Sequence, residues 1–452
     1  MTSCTSVLTC NEDLVLSFIK MILKKLFGFD PSVMKVKTEI MAGVTTFLTM
    51  SYILAVNPDI FSAASMDRGA VFTATALAAS FATLVMAIWA KLPFALAPGM
   101  GLNAFFAFTL VQGMGYSWES ALAAVFIEGL VFILLTVFNI RELIVNAIPE
   151  TLRHAISVGI GLFIAFLGLQ KAGLIVANPA TFVSLGEFTP STLLAVGGIV
   201  IGGVLVVRKV KGALFYAIVA VTLLSIPLGI TRIPEGFSLV SMPHSLEPVF
   251  FKLDFHSLLS PNMLIAIFSL VFMDIFDTLG TLVGTANKVG MVKPDGSIPK
   301  LKPAMMADAV GTTVGALLGT STTTTYAEST AGIAEGGRSG LTAAVVSGLF
   351  IVALFFAPFF LLVPGIATAG VLVIVGSFMF DAVKKIRFDD MTEAFPAFVT
   401  IIMMPLTYSI AEGIVLGLLT YVLFKLFAGK YRELNLTMYI LSILCILKYV
   451  FV

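Results

Sequence analysis

Charge is what this chain has least of. Only 12% of its 452 residues are Asp, Glu, Lys or Arg, and 58% are hydrophobic. A soluble domain of that make-up has too little polar surface to cover itself, so soluble classes are excluded. The net charge is +1, and nothing points to nucleic acid. Cysteine is scarce: Cys4, Cys10 and Cys445 lie at the two ends, without disulfide-framework or metal-site spacing. His154, His244 and His256 are scattered, so no metal or other cofactor is expected. No Gly-x-x-x-x-Gly-Lys-Ser/Thr occurs, which excludes ATP drive through a P-loop of the chain's own. No nucleophile–base pairing suggests an enzyme. No cleavable signal peptide is expected either: Glu12 and Asp13 precede the first apolar stretch, and Lys20, Lys24 and Lys25 follow it.

What remains is membrane, with a mean hydropathy of +1.04. A bilayer is crossed by about 20 apolar residues, which leaves room for roughly 12 to 15 spans. The first dozen residues read as disordered, and 14–29 as a short amphipathic helix on the inner membrane surface. Spans follow near Glu39–Pro58, Val71–Trp89, Phe94–Phe106, Trp118–Phe138, Leu152–Leu169, Leu193–Val207 and Ala213–Leu228. A long Pro-containing loop, 229–262, divides the chain. The second set runs Leu264–Val283, Ala304–Leu318, a Thr-rich break near 319–332, Leu341–Leu362, Ile366–Phe380, Ala394–Tyr408 and Ile414–Phe427. Asp381–Asp390 reads as a surface helix, and Leu434–Val452 as a piece that spans or lies on the membrane. With the N-terminus inside, the outer loops hold only Arg68, Lys171, Arg232 and Lys252 among the basic residues, the positive-inside pattern. The expected fold is an all-α polytopic membrane protein of 14 segments, seven and seven in opposite orientation. Its sections are a tail (1–30), a first repeat (31–228), the connecting loop (229–262), a second repeat (263–430) and a C-terminal apolar segment (431–452).

The third segment of each half is broken. Pro98, Gly99 and Gly101 interrupt the first half, just before Asn103. In the second half, Thr320 to Thr325 is a run of hydroxyl residues, mostly β-branched, that favours extended backbone and leads to Tyr326, Ala327 and Glu328. Paired breaks at corresponding positions of two inverted halves point to a transporter's midplane site. Asp274, Asp277, Thr278 and Thr281 fall on one face of the eighth span, opposite Phe272, Ile275, Phe276 and Leu279. Charge within a span is costly and is usually functional, so this acidic stripe should face the breaks. Tyr326, Phe105 and Phe106 can stack on a flat ligand or serve as plain core. Glu128 and Asp308 rank as structural or secondary. The small-residue spacings Gly197/Gly198 with Gly202/Gly203, Gly280 with Gly284, Gly311 with Gly315 and Gly319, and Gly413 with Gly417 read as helix packing.

The stretches Thr38–Ile53 with Asn57-Pro58, Ala97–Phe106, Asp274–Gly280 and the Thr-rich run ending in Glu328-Ser329 resemble the AzgA-like purine permeases, a branch of the nucleobase–cation symporter-2 (nucleobase/ascorbate transporter) superfamily. The resemblance implies short antiparallel strands in segments 3 and 10, a core domain from spans 1–4 and 8–11 and a gate domain from 5–7 and 12–14. It implies proton-coupled uptake of adenine, guanine or hypoxanthine across the cytoplasmic (inner) membrane, and a homodimer through the gate. By that likeness Asp274 and Glu328 bind the base, with Asn103 in support; Gly101, Tyr326, Ala327 and Phe105 complete the expected site, and Asp277 with Asp274 couples protons. The alternative is an anion exchanger or channel on the same fold, which carboxylates at the site disfavour.

Overall fold

Lipid offers backbone groups no hydrogen-bond partner, so apolar runs fold as helices that satisfy their own N–H and C=O groups. A computed structural model of the protein, describing residues 21–138, 149–234, 236–288 and 300–451, is mostly helical. The helices are α1 (Val36–Met50), α2 (Ile53–Ser62), α3 (Arg68–Val85), α4 (Met100–Ala104), α5 (Trp118–Val137), α6 (Glu150–Lys171), α7 (Pro190–Val207) and α8 (Ala213–Ser225). They continue with α9 (Pro261–Lys288), α10 (Leu301–Leu318), α11 (Ser329–Ala334), α12 (Gly340–Ala353), α13 (Ala357–Leu361), α14 (Gly365–Phe380), α15 (Met391–Leu406), α16 (Ile410–Phe427) and α17 (Leu436–Phe451). Four short strands are β1 (Leu96–Pro98), β2 (Ile175–Asn178), β3 (Phe182–Leu185) and β4 (Thr323–Thr325). Among the described residues, seven helices are long and apolar enough to cross a membrane by length and composition, α1 with α2 counting as one. Shorter apolar helices, among them α8, α15 and the first half of α9, accompany them.

The helices form two packed groups. In one, α10 lies on α3 and α5, and α12 on α1 and α3. In the other, α6 lies along α14 and α15, and α7 packs on α8 and α14. Glycine makes the α6–α14 contact close: a Cβ on Gly161 would stand 2.6 Å from the Gly376 carbonyl oxygen. This is the small-residue route to close helix approach. Glu39, wholly buried at the start of α1, accepts from the Arg338 and Ser339 N–H groups and from Thr342, and so anchors the start of α12.

Several elements differ from the sequence expectation. Helix α8 stops at Ser225, short of Leu228. The Asp381–Asp390 stretch is a single 3-10 turn, Asp381–Lys385, followed by irregular chain; Asp390 caps α15 instead, accepting the Thr392 N–H at 2.9 Å. The third segment runs on past Phe106 as a π-helical stretch to Gly113. A β2–β3 hairpin stands where a plain loop was expected. Residues 21–27 are helical, and the helix stops before Gly28, two residues short of the expected 14–29 bound; residues 14–20 and the first dozen residues lie outside the described residues, as do Cys4, Cys10 and most of the 288–302 loop. The C-terminal piece is helical and packs on α16.

Candidate functional site

The two breaks meet. Strand β1 pairs antiparallel with β4, Leu96 opposite Thr325, Ala97 opposite Thr324 and Pro98 opposite Thr323. The Gly99 N–H to Thr322 O bond (3.0 Å) and the Tyr326 N–H to Ala95 O bond (2.9 Å) extend the ladder at both ends. A two-stranded ribbon has two open edges, and an open edge inside a membrane needs partners. Hydroxyls supply them. Thr83 donates to the Leu96 carbonyl and accepts its N–H, each at 2.9 Å. Thr312 donates to the Thr323 carbonyl, and Ser329 accepts the Ala95 N–H. The density of Thr and Ser here is therefore the means by which extended backbone is held inside a helical protein.

Carboxylates gather around this crossing. Asp274 is fully buried, and its Oδ1 accepts from Thr278 Oγ1 at 3.1 Å. The same hydroxyl lies 2.9 Å from Asp308 Oδ2 and 3.1 Å from Thr324 Oγ1 on the strand. Thr278 thus links α9, α10 and β4. Asp277, one turn along from Asp274 and partly exposed, lies beside Gly99: a Cβ there would stand 3.5 Å from Asp277 Oδ2. Glu328, also partly exposed, precedes α11 and accepts from the Tyr52 hydroxyl at 2.7 Å. Tyr326 donates its phenol to the Pro98 carbonyl at 2.6 Å, while Ala327 beside it is exposed.

Three expected residues turn elsewhere. Asn103 is fully buried; its Oδ1 accepts from Ser321 Oγ, and its amide reaches the Pro98 carbonyl, so its side chain ties one break to the other. Phe105 is wholly buried in the apolar core. Gly101 makes room for α6, since a Cβ there would stand 2.8 Å from Ile160 Cγ2. Three residues that sequence reasoning did not place at the crossing make hydrogen bonds to residues there. Tyr52 reaches Glu328 from the α1–α2 bend, Asp308 shares Thr278 with Asp274, and Glu128 accepts from Thr322 at 2.6 Å. Among the described residues no His, Cys, Asp and Glu cluster has the makings of a metal site.

Broken helices that meet at a hydroxyl-lined crossing, with acids around the gap, define a membrane transport protein. The particular family follows from comparison. A permease-family profile, Xan_ur_permease, matches residues 37–416. A putative permease of Methanocaldococcus jannaschii, MJ0326, is 49% identical over 95% of this chain and 98% of its own length. The adenine permease AdeP of Escherichia coli is 43% identical over 92% of this chain and 93% of its own. The guanine/hypoxanthine permease PbuG of Bacillus subtilis is 42% identical over 95% of this chain and 100% of its own. The chain belongs to this permease family, in its AzgA-like branch, and is a multi-pass membrane transporter rather than an enzyme. Among solved structures, the transmembrane domain of the cyanobacterial bicarbonate transporter BicA aligns with TM-score 0.63 at 18% identity, over 84% of this chain and 97% of that one. Murine Slc26a9, an anion transporter, aligns with TM-score 0.61 at 12% identity, over 87% of this chain and 68% of that one. These two share the fold.

Proposed function

We propose that this protein carries purine nucleobases (adenine, guanine or hypoxanthine) together with protons across the cytoplasmic membrane by alternating access. The observation that carries this reading is the placement of Asp277, Tyr326 and Glu328 at the strand crossing, in a chain more than two-fifths identical to relatives named adenine and guanine/hypoxanthine permeases. A purine offers an edge of ring N–H, amino and carbonyl groups. Carboxylates accept N–H bonds, and a tyrosine adds a flat face. The fold is shared with anion carriers, but an acidic site repels anions, which disfavours that alternative.

In this reading the fourteen segments form a seven-plus-seven inverted repeat with the N-terminus cytoplasmic. The group around α3, α5, α10 and α12 is the core, and that around α6, α7, α14 and α15 the gate. The family resemblance gives Asp274 to the base and, with Asp277, to proton coupling. The geometry favours an exchange of emphasis. Asp277 and Glu328, partly exposed at the strand crossing, suit the base; Asp274, sealed against Thr278, suits a proton site. Uptake of labelled adenine, guanine and hypoxanthine, with and without a protonophore, in cells lacking other purine carriers tests the function. Accumulation of at least one base that collapses with the protonophore is expected; no uptake of any would refute the reading. Asp277→Asn should abolish binding, whereas Asp274→Asn should keep binding and lose accumulation. The opposite pattern would restore the sequence-based roles.

A further inference from the structure

A cavity of about 400 Å³ lies between α2 and α4 on one side and α6 and α14 on the other, and neither Asp277, Tyr326 nor Glu328 is among its lining residues. Its volume falls in the range of small-molecule sites. Met100 and Ala104 of α4 line it, so it adjoins the half-helix that carries Asn103. Its two charged lining residues, Asp59 and Lys171, pair with each other, and Thr368 donates to the same Asp59 oxygen at 2.8 Å. Lys171 is thereby answered, and the cavity suits a neutral, polar ligand rather than an anion.

Its walls are matched to a flat ring. Phe108 and Tyr408 meet edge to face, centroids 6.0 Å apart and planes at 81°, and both line the cavity. Such a corner lets a planar heterocycle lie on one ring while its rim meets the other. Tyr408 is held at φ 54°, a left-handed conformation that is costly for a bulky residue and that collects at functional positions. Its hydroxyl donates to Gln170 Oε1 at 3.2 Å, which fixes the amide beside the corner. An amide both donates and accepts, as recognition of a purine edge requires.

We infer that this cavity is a second nucleobase site, a loading station in which Phe108 and Tyr408 take the ring face and Gln170 reads the edge before the base reaches the carboxylates. The inference rests on the purine-transport reading. Adenine and hypoxanthine differ at that edge, amino against carbonyl, so Gln170 contributes to the choice between them.

The test is uptake kinetics of adenine, guanine and hypoxanthine for the full-length protein and two variants. Gln170→Leu should raise KM about three- to tenfold, the loss of one hydrogen bond. It should do so unequally, changing the adenine-to-hypoxanthine KM ratio with Vmax per transporter held. Phe108→Leu should raise KM for every transported base by a similar factor. A variant that folds poorly lowers Vmax for all bases alike and leaves the KM ratio unmoved, so a merely structural role is separable. Unchanged KM values and ratio in both variants would overturn the loading site while the parent function stands. Failure of the unsubstituted protein to take up any purine would overturn both.

Discussion

Tyr52 shows at the scale of one residue what the fold adds to the sequence. Its phenol is buried at the bend between α1 and α2 and gives Glu328 its hydrogen bond. The sequence contains Tyr52 within a recognisable stretch but does not mark it, because its partner lies far along the chain. Asp308 and Glu128, ranked as structural or secondary, have partners that are hidden for the same reason. One looked too near a helix end and the other too isolated, yet helix packing sets each against a hydroxyl of the second half, Thr278 and Thr322 respectively. Acids within spans were legible because charge in lipid stands out; their partners were not, because a threonine or tyrosine in a span is unremarkable until something faces it. Tyr52→Phe keeps the ring and removes the donor. A hydrogen bond to a charged group contributes roughly 1.5–3 kcal/mol, so KM for the base should rise roughly tenfold or more. Transport assays at matched membrane levels would show it. An unchanged KM would mean that Glu328 is oriented without Tyr52.

Among the elements, breaks read better than boundaries. The hydroxyl-rich, mostly β-branched run was legible as extended backbone, and Pro98, Gly99 and Gly101 as a broken helix, and the structure pairs the two as β1 and β4. What the sequence did not disclose is the edge partners, Thr83 and Thr312, which come from neighbouring helices. The β2–β3 hairpin escaped because four residues a side, mostly exposed, leave no buried alternation to read. Small-residue spacings were sound as packing signals but did not say which glycine is the contact. Gly198 meets Val221 and Gly202 meets Ile374, while Gly197 and Gly203 face open space. The α6–α14 contact depends on Gly161 and Gly376, which no such spacing had singled out. Gly161→Leu would drive a side chain into the backbone of α14, and overpacking of this kind costs about 1–3 kcal/mol. A lowered melting temperature in detergent is expected, with Gly197→Leu as the matched control that melts like the parent. Equal melting of the two would mean that α6 and α14 can part without loss.

Across the whole molecule, two ion pairs join the helix groups at opposite ends of their seam. Asp59 at the end of α2 pairs with Lys171 at the end of α6. Lys211, just before α8, pairs with Glu335, just after α11. Under the proposed orientation the first lies on the outer side and the second on the inner. The Lys211–Glu335 pair is partly exposed, and such pairs contribute little to stability; Asp59 is buried, but Arg68 and Thr368 stay beside it when Lys171 leaves, so both contacts are suited to form and part in a cycle. A carrier that exposes its site alternately must release each side in turn. A covalent tie between positions 59 and 171, made from Asp59→Cys with Lys171→Cys and a short bifunctional thiol reagent, should therefore stop uptake, and cleavage of the reagent should restore it. A tie between 211 and 335 should do the same from the other side. Each single cysteine variant, treated alike, controls for loss of the charge. Continued uptake with both ties shown to have formed would mean that the two helix groups do not move apart at these ends, and that the base passes between them by a smaller motion near the strand crossing.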